Sequence, residues 1–389
     1  MSGATYAPWS GSVAPNTWGE LIDYSDGPID IRLARTQVGA WLQERIPIGA
    51  GFEVEPALRM DWNSFTGERA LQPRLRVTKR FADTVVWGGL AWQAQTPGHE
   101  TMQQGFQFFD ITSPEADLRN ERSRQIVLGM ERTMAHAITL RVEAYRRTFD
   151  RLLVQRPETE NERQQRLSTY AIPPDLPPDS GLLEYRPTVH PQSVGTGRAA
   201  GVEVLVQRNR GRLTGWLAYT LSNAERELYG RTVPFDFDRR HALGTVSHVQ
   251  LSPTIRVSTT VQFASGFPAT PPRREVSFRR RLLPDRSLDP LLRPARQTNG
   301  TFVTDHVGYP CRVSLLNSER MRAYGRTDVR VTWSPSQNWE FYGEVLNLFN
   351  RSNYSQPVGT ELPGSLSYGE LQTFAGHPRL PTYGVRVTF

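Results

Sequence analysis

The sequence predicts an all-β chain, and within that class a transmembrane antiparallel up-and-down β-barrel, present in part, with about 13–14 strands. Three observations carry this expectation. Apolar and polar residues alternate with a period of two through most of the chain, as they do where each strand shows one face to each of two media. Connections between these runs alternate between short and long, the habit of barrels with brief turns at one rim and extended loops at the other. The chain closes on Tyr383-Gly384-Val385-Arg386-Val387-Thr388-Phe389, with Tyr383, Val385, Val387 and Phe389 on one face. An apolar strand at a terminus is out of place in a soluble sheet, whose ends are frayed and polar. It is natural where apolar side chains meet lipid and polar ones meet a wet lumen.

Composition is compatible with this class. At 389 residues the chain has room for two or three soluble domains or for one large barrel. It contains no run of eighteen apolar residues, so a membrane-spanning helix is not expected, whereas a spanning strand needs only every second residue apolar. The net charge of +7 is carried almost wholly by arginine, Lys79 being the single lysine. A basic chain first suggests nucleic acid. Here the arginines alternate with apolar residues or lie in long loops, with no basic helix or zinc-finger spacing, so no nucleic-acid partner is expected. Cys311 is the lone cysteine, which removes disulfide frameworks and thiolate metal clusters. Met1 to Asp30 has neither a basic nor an apolar leader region. Because an outer-membrane protein must be exported, the expectation is that either the barrel reading fails or the chain lacks its natural N-terminus.

In chain order, residues 1–34 read as loop or remnant strand, with one weak strand over Thr17 to Tyr24. The first confident strand is Arg35 to Ile46, turned by Pro47-Ile48-Gly49-Ala50-Gly51. In the next, Phe52, Val54, Pro56, Leu58, Met60 and Trp62 alternate with Glu53, Glu55, Ala57, Arg59 and Asp61. Leu71 to Arg80 repeats the pattern, and after Ala82-Asp83 the residues Val86, Leu90 and Trp92 make another outward face. Ser123 to Thr133 follows a polar loop. Its Val127, Met130 and Met134 also fit a helical stripe, so a helix is the alternative there. A tight turn at Met134-Ala135-His136 leads to Ile138, Leu140, Val142 and Ala144, set against Thr139, Arg141, Glu143 and Tyr145.

The proline-rich, charged stretch from Arg156 to Gln192 predicts a loop without a buried interior. Strands resume with Val202, Val204 and Val206, then Leu213 to Leu221, Asp238 to Val249, and Ile255 to Phe263. Val329 to Trp333, Trp339 to Val345 and Tyr383 to Phe389 close the chain. Residues 35–389 thus form the barrel, with long loops, read as extracellular, near 95–121, 156–192, 266–320 and 351–378. The count is about thirteen and odd, whereas single-chain bacterial barrels close with an even number. Strands are therefore expected to be missing at the front.

Several pieces, in this order and spacing, resemble the C-terminal part of the β-barrel of TonB-dependent outer-membrane receptors. They are Gly197-Arg198-Ala199-Ala200-Gly201-Val202-Glu203, Gly215-Trp216-Leu217-Ala218-Tyr219-Thr220-Leu221-Ser222 and Phe237-Asp238-Arg239-Arg240-His241-Ala242-Leu243. Ala264-Ser265-Gly266-Phe267-Pro268, Glu344-Val345-Leu346-Asn347-Leu348-Phe349-Asn350 and the terminal Phe389 complete the set. The resemblance implies a full barrel of 22 strands with a plugged lumen. It implies energised import of a large scarce solute of the siderophore, cobalamin or oligosaccharide class, without enzymatic activity. Implied partners are outer-membrane lipid and lipopolysaccharide, the barrel-assembly machinery acting on the C-terminal strand, and the TonB system through an N-terminal region. Signal peptide, TonB box, plug and first strands have no counterpart here, so the expectation is a fragment that is not transport-competent by itself.

Other chemistry reads weakly. Gly195-x-Gly197-x-x-x-Gly201 lacks the dinucleotide spacing and precedes a strand rather than a helix, so no cofactor is expected. Asp236, Asp238 and His241 are metal-ligand or acid–base types, but consecutive strand residues diverge, and a polar barrel rim accounts for them. His241 and His248 fall on opposite faces. Arg279-Arg280-Arg281 is expected to meet anionic lipopolysaccharide or solvent. Two lumen-facing sets, Arg141, Glu143, Tyr145 and Glu340, Tyr342, Glu344, are the candidate solute contacts. Trp62, Trp92, Trp333 and Trp339 are expected as interface anchors. The rival readings are a passive porin-like channel or surface scaffold, and a soluble all-β carbohydrate-active protein. Under the first reading the apolar faces point outward; under the last they converge on a packed interior.

Overall fold

Strands with one apolar face hold together here through backbone ladders rather than a shared core. A computed structural model describes residues 36–97, 103–104, 107–108, 117–134, 137–178, 180–270, 273–282, 288–307, 315–357, 373–375 and 378–388. The N-terminal weak strand, Ala135 and His136 of the tight turn, Cys311 and Phe389 lie outside the described residues.

Among the described residues, thirteen main strands follow one another in a single antiparallel meander. The first six are β1 (Gln37–Gln43), β2 (Phe52–Asn63), β3 (Arg69–Arg80), β4 (Thr84–Gln95), β5 (Glu121–Met134) and β6 (Ile138–Pro157). Then come β7 (Pro187–Arg208), β8 (Leu213–Leu228), β9 (His241–Ser252) and β10 (Ile255–Ala264). The last are β11 (Tyr324–Trp333), β12 (Trp339–Leu346) and β13 (Leu380–Val387). Each pairs with its chain neighbours, and among the described residues no pairing joins β1 to β13. The stretch that also fits a helix is β5, because its 14 residues complete two ladders, to β4 and to β6.

Register gathers the apolar side chains of the thirteen strands on one face, with Arg146 opposite Ile126 as a charged exception. Met60 stands opposite Leu71, Leu75 opposite Leu90, Leu90 opposite Ile126, and Met130 opposite Val142. The same row continues through Val142–Val204, Val204–Tyr219, Tyr219–Leu243, Leu243–Phe263 and Val257–Val331. Phe341 opposite Val385 ends it. This face is uncovered: Leu58, Met60, Leu71, Ile126, Leu128, Val331 and Val385 are all exposed. A face of this extent in water would carry roughly 1.5–3 kcal/mol of unburied cost for each large side chain, so it demands an apolar medium.

Trp87 apart, the buried apolar residues largely gather towards and above one rim, which corrects the expectation for 156–192. That segment is not an open loop. β6 and β7 run 20 and 22 residues, well past the 9–11 a tilted spanning strand needs, and carry the chain beyond the membrane. Between them Thr159 caps α1 (Glu160–Ser168) with a reciprocal Thr159–Glu162 capping box. Tyr170, Leu176 and Leu182 then pack on Phe278 and Leu292 from the far connection between β10 and β11. A second cluster joins Leu228 and Val233 to Leu316. Proline and charge content failed as guides here because the burial is between two connections distant in the chain.

Three further boundaries differ from the sequence expectation. β8 extends beyond Leu221 to Leu228 and folds back on Arg231–Pro234 through Tyr229 and Gly230. β9 begins at His241, not Asp238, because the Asp238 carboxylate accepts a hydrogen bond from Ala224 N (2.7 Å) and holds a turn there. The alternation of connections is not strict: 64–68 is a brief turn on the long-loop rim. Asn63 closes it by accepting from Thr66 N at 2.8 Å.

Candidate functional site

The face opposite the apolar one is lined with charge, and its charges are mostly compensated. Arg59 donates twice to Asp61 at 2.7 Å, and Gln72 Nε2 donates to the same carboxylate. On β6, Arg141 donates to Glu143 at 3.1 Å, and Trp87 Nε1 of β4 donates to that carboxylate at 3.3 Å. The guanidinium groups of Arg76 and Arg141 stand 5.4 and 5.1 Å from the buried Trp87 ring, so the indole is held between two cations. On the last three strands, Arg330 pairs with Glu344 at 3.0 Å and lies 4.4 Å from the Tyr342 ring centroid. Arg386 is 3.7 Å from Glu340, and Arg326 is 2.8 Å from Asp328.

Register explains why aromatic residues tolerate this polar face. Trp87 stands opposite Gly129, Tyr145 opposite Gly201, and Tyr342 opposite Gly384. In each pair a Cβ on the glycine would overlap the ring or its hydroxyl, so the side chain lies flat across the vacant position. The sequence marks none of these pairs as such, because the partners are 42 to 56 residues apart. Trp87 had one signal: it falls out of phase with Val86, Leu90 and Trp92.

All six candidate solute contacts therefore lie on the wet face, in two groups. Arg141, Glu143 and Tyr145 belong to β6, and Glu340, Tyr342 and Glu344 to β12, with five strands of the sheet between them. The sheet does not bring the two groups together. Of the tryptophans, Trp62 and Trp92 stand at the long-loop ends of β2 and β4. Trp333 and Trp339 stand at the short-turn ends of β11 and β12, with Phe341 between them at 5.4 and 5.9 Å. On the terminal strand, Tyr383 is 91% exposed and Val385 is exposed, both on the apolar face.

At the long-loop rim the connections are clasped to one another. Glu68 accepts from Asn120 N (2.8 Å) and Arg151 (2.9 Å), joining two connections to the extended end of β6. Asp175 accepts two bonds from Arg296 (2.7 and 2.9 Å), and Ala171 and Thr169 exchange backbone bonds with Leu292 at 2.8 Å. Arg156 and the Thr159 backbone hold the Glu162 carboxyl down from 4.5 to about 2, the Arg156 bonds being the largest cause. Buried Glu158 accepts from Arg166 (2.6 and 2.9 Å) and from Arg186 N (3.0 Å).

Two of the quoted sequence pieces meet in this rim. Phe267 packs edge-on against Phe237 at 6.0 Å and lies 3.9 Å beneath the Arg239 guanidinium. Arg320 ties both pieces by bonding Asp238 and the carbonyl oxygens of Asp238 and Gly266. Asp236 is engaged by Arg226 and Asn317, and His241 Nδ1 by the Tyr219 hydroxyl at 2.8 Å. The trio Asp236, Asp238 and His241 is thus divided among separate partners. Among the described residues no group of three His, Cys, Asp or Glu side chains is placed to hold a metal ion.

A family model described as TonB dependent receptor-like, beta-barrel matches residues 3–348. No curated protein matches the sequence. Among solved structures the chain is similar to the ferric-catecholate import receptor Fiu from E. coli, at 12% identity and a TM-score of 0.57. The match covers 91% of this chain and 45% of that one. It is also similar to the FrpB iron transporter from Neisseria meningitidis, at 13% identity and a TM-score of 0.53 over 91% and 45%. The outer-membrane ferripyoverdine receptor of Pseudomonas aeruginosa, bound to ferripyoverdine, matches at 10% identity and a TM-score of 0.54 over 98% and 43%. The chain thus spans less than half the length of these structures.

Proposed function

The chain belongs to the TonB-dependent receptor-like β-barrel family, and on that premise we propose that it is outer-membrane wall of a receptor that imports a large, scarce solute with energy delivered through TonB. The observation that carries this reading is the division of the sheet into two media. One face is apolar and uncovered through thirteen strands, while charge lines the other and the packed apolar clusters sit above the rim. A soluble carbohydrate-active protein would turn its apolar faces inward.

The solute class we favour is the iron–siderophore complex. Arginine-rich lining and a basic net charge suit anionic chelates, and several of the similar solved structures are described as iron or siderophore receptors. The clasped outer connections and the wet-face groups on β6 and β12 would supply its contacts. The Trp62–Trp92 and Trp333–Trp339 rims would sit at the two membrane interfaces, and Tyr383 to Val387 would be the strand read during assembly.

The test is uptake of radio-iron delivered as hydroxamate, catecholate and pyoverdine-type chelates, in the native host with and without this gene. Gene loss should abolish uptake of one class, and collapse of the proton-motive force should abolish the same uptake in the parent. Uptake that depends on the gene but survives that collapse would mean a passive pore. Unchanged uptake of every chelate would remove iron import.

A further inference from the structure

Near the short turn between β7 and β8 the wet face holds a pocket of about 270 Å³ lined by Gly211, Arg212, Thr214, His248, Gln250 and Arg256. Its walls come from three neighbouring strands in register: Thr214 stands opposite His248, and Gln250 opposite Arg256. β8 can approach β9 this closely only because Gly215 adopts φ +143, where any Cβ would strike Val246 O.

The lining is basic, and its arginines, like Arg74 and Arg76 elsewhere on the wet face, stand in no ion pair among the described residues, whereas other wet-face arginines are paired. Arg59, Arg141, Arg326, Arg330 and Arg386 each stand beside a carboxylate. Arg212 and Arg256 are in no ion pair among the described residues, and the lining contains no acid. Arg256 Nε donates to Gln250 Oε1 at 3.2 Å, which orients the guanidinium and leaves its terminal nitrogens to other acceptors. His248 Nδ1 is engaged by Ser258 Oγ at 2.8 Å, so Nε2 is the ring atom left for a ligand. Two arginines, a histidine and a threonine thus line one small volume.

We propose that this pocket binds an oxyanion, a phosphate or carboxylate group, held by Arg212 and Arg256 with Thr214 and His248 as additional donors. Guanidinium geometry matches such groups in bidentate fashion, and the uncompensated charge gives the affinity. The site goes beyond the import reading and does not depend on which solute crosses the membrane.

Calorimetric titration of the full chain in detergent micelles with inorganic phosphate, and separately with acetate, tests this at low and constant ionic strength. Arg256→Gln should weaken binding about tenfold, and Arg212→Gln with Arg256→Gln about a hundredfold, taking each lost charge-assisted bond as about one decade. Arg59→Gln, which removes a wet-face charge outside the pocket, should leave the affinity within about twofold. Heat-shifted gel mobility identifies any variant that fails to fold, and Thr214→Val, expected to weaken binding less, then serves in its place. Binding of neither anion, or equal binding by the pocket variants and the parent, overturns the assignment.

Discussion

Leu128 gives the sharpest test of the two-media sheet. It is the eighth of the 14 residues of β5, is 63% exposed, and stands on the apolar face between Gly88 and Ala144. Its other neighbours on that face, Val86, Leu90, Ile126, Met130, Val142 and Arg146, include no carboxylate, and Arg146 is itself a cation, so an arginine placed there meets no partner. In hydrocarbon an arginine near the bilayer midplane costs about 2–4 kcal/mol. That is about a 30- to 700-fold change in the folding equilibrium, at one decade per 1.4 kcal/mol. In water the same exchange of one exposed residue for another falls within about 0.5 kcal/mol.

Val127 is the internal control, because it points the other way, opposite Gly89 and Tyr145, on the strand face where Glu143 also lies. The assay is guanidinium-induced unfolding of the chain reconstituted in phospholipid bilayers, comparing midpoints at equal slope for the parent, Leu128→Arg and Val127→Arg. Leu128→Arg should fall by the full amount and Val127→Arg by clearly less. A Leu128→Arg effect near zero, or one no larger than that of Val127→Arg, refutes the assignment of faces.

Gly129→Val should push the Trp87 indole off its seat and cost about 1–3 kcal/mol, seen as a shifted tryptophan emission maximum and a lower unfolding midpoint. Thr159→Ala removes the cap of α1 and should lower local protection in 158–186 by about 0.5–2 kcal/mol, read by amide hydrogen exchange. Glu162 has its carboxyl lowered in the folded state, so its contribution is present above about 4.5 and is lost as pH falls toward 2. Protease resistance of the same segment should therefore hold at neutral pH and decline across that acid window, whereas Glu162→Gln should flatten the decline. Asp238→Asn weakens the link to Arg320 and should cost about 1–3 kcal/mol, exposing 229–240 to proteolysis while the strands stay protected.

How much of this could be read without coordinates depends on whether a feature is local. Strand identity and face are local, since a period of two within ten residues fixes which side chains share a face. Met60, Leu75, Leu90 and Ile126 are assigned to the apolar side by their own neighbours, and the register places them in one row. Thirteen strands and the lipid-facing side were accordingly legible. Pairing of side chains across strands was not. Trp87 on Gly129 and Tyr342 on Gly384 depend on a hydrogen-bond register set between segments some forty residues apart. The outer loops were the least legible, because Tyr170 and Leu292 become a core only when two connections more than a hundred residues apart meet. Alternation is imposed residue by residue by the two solvents of the strand, and so the sequence carries it openly; the depth of a loop or the ring resting on a glycine is created by chain closure in space, and exists only in the folded molecule.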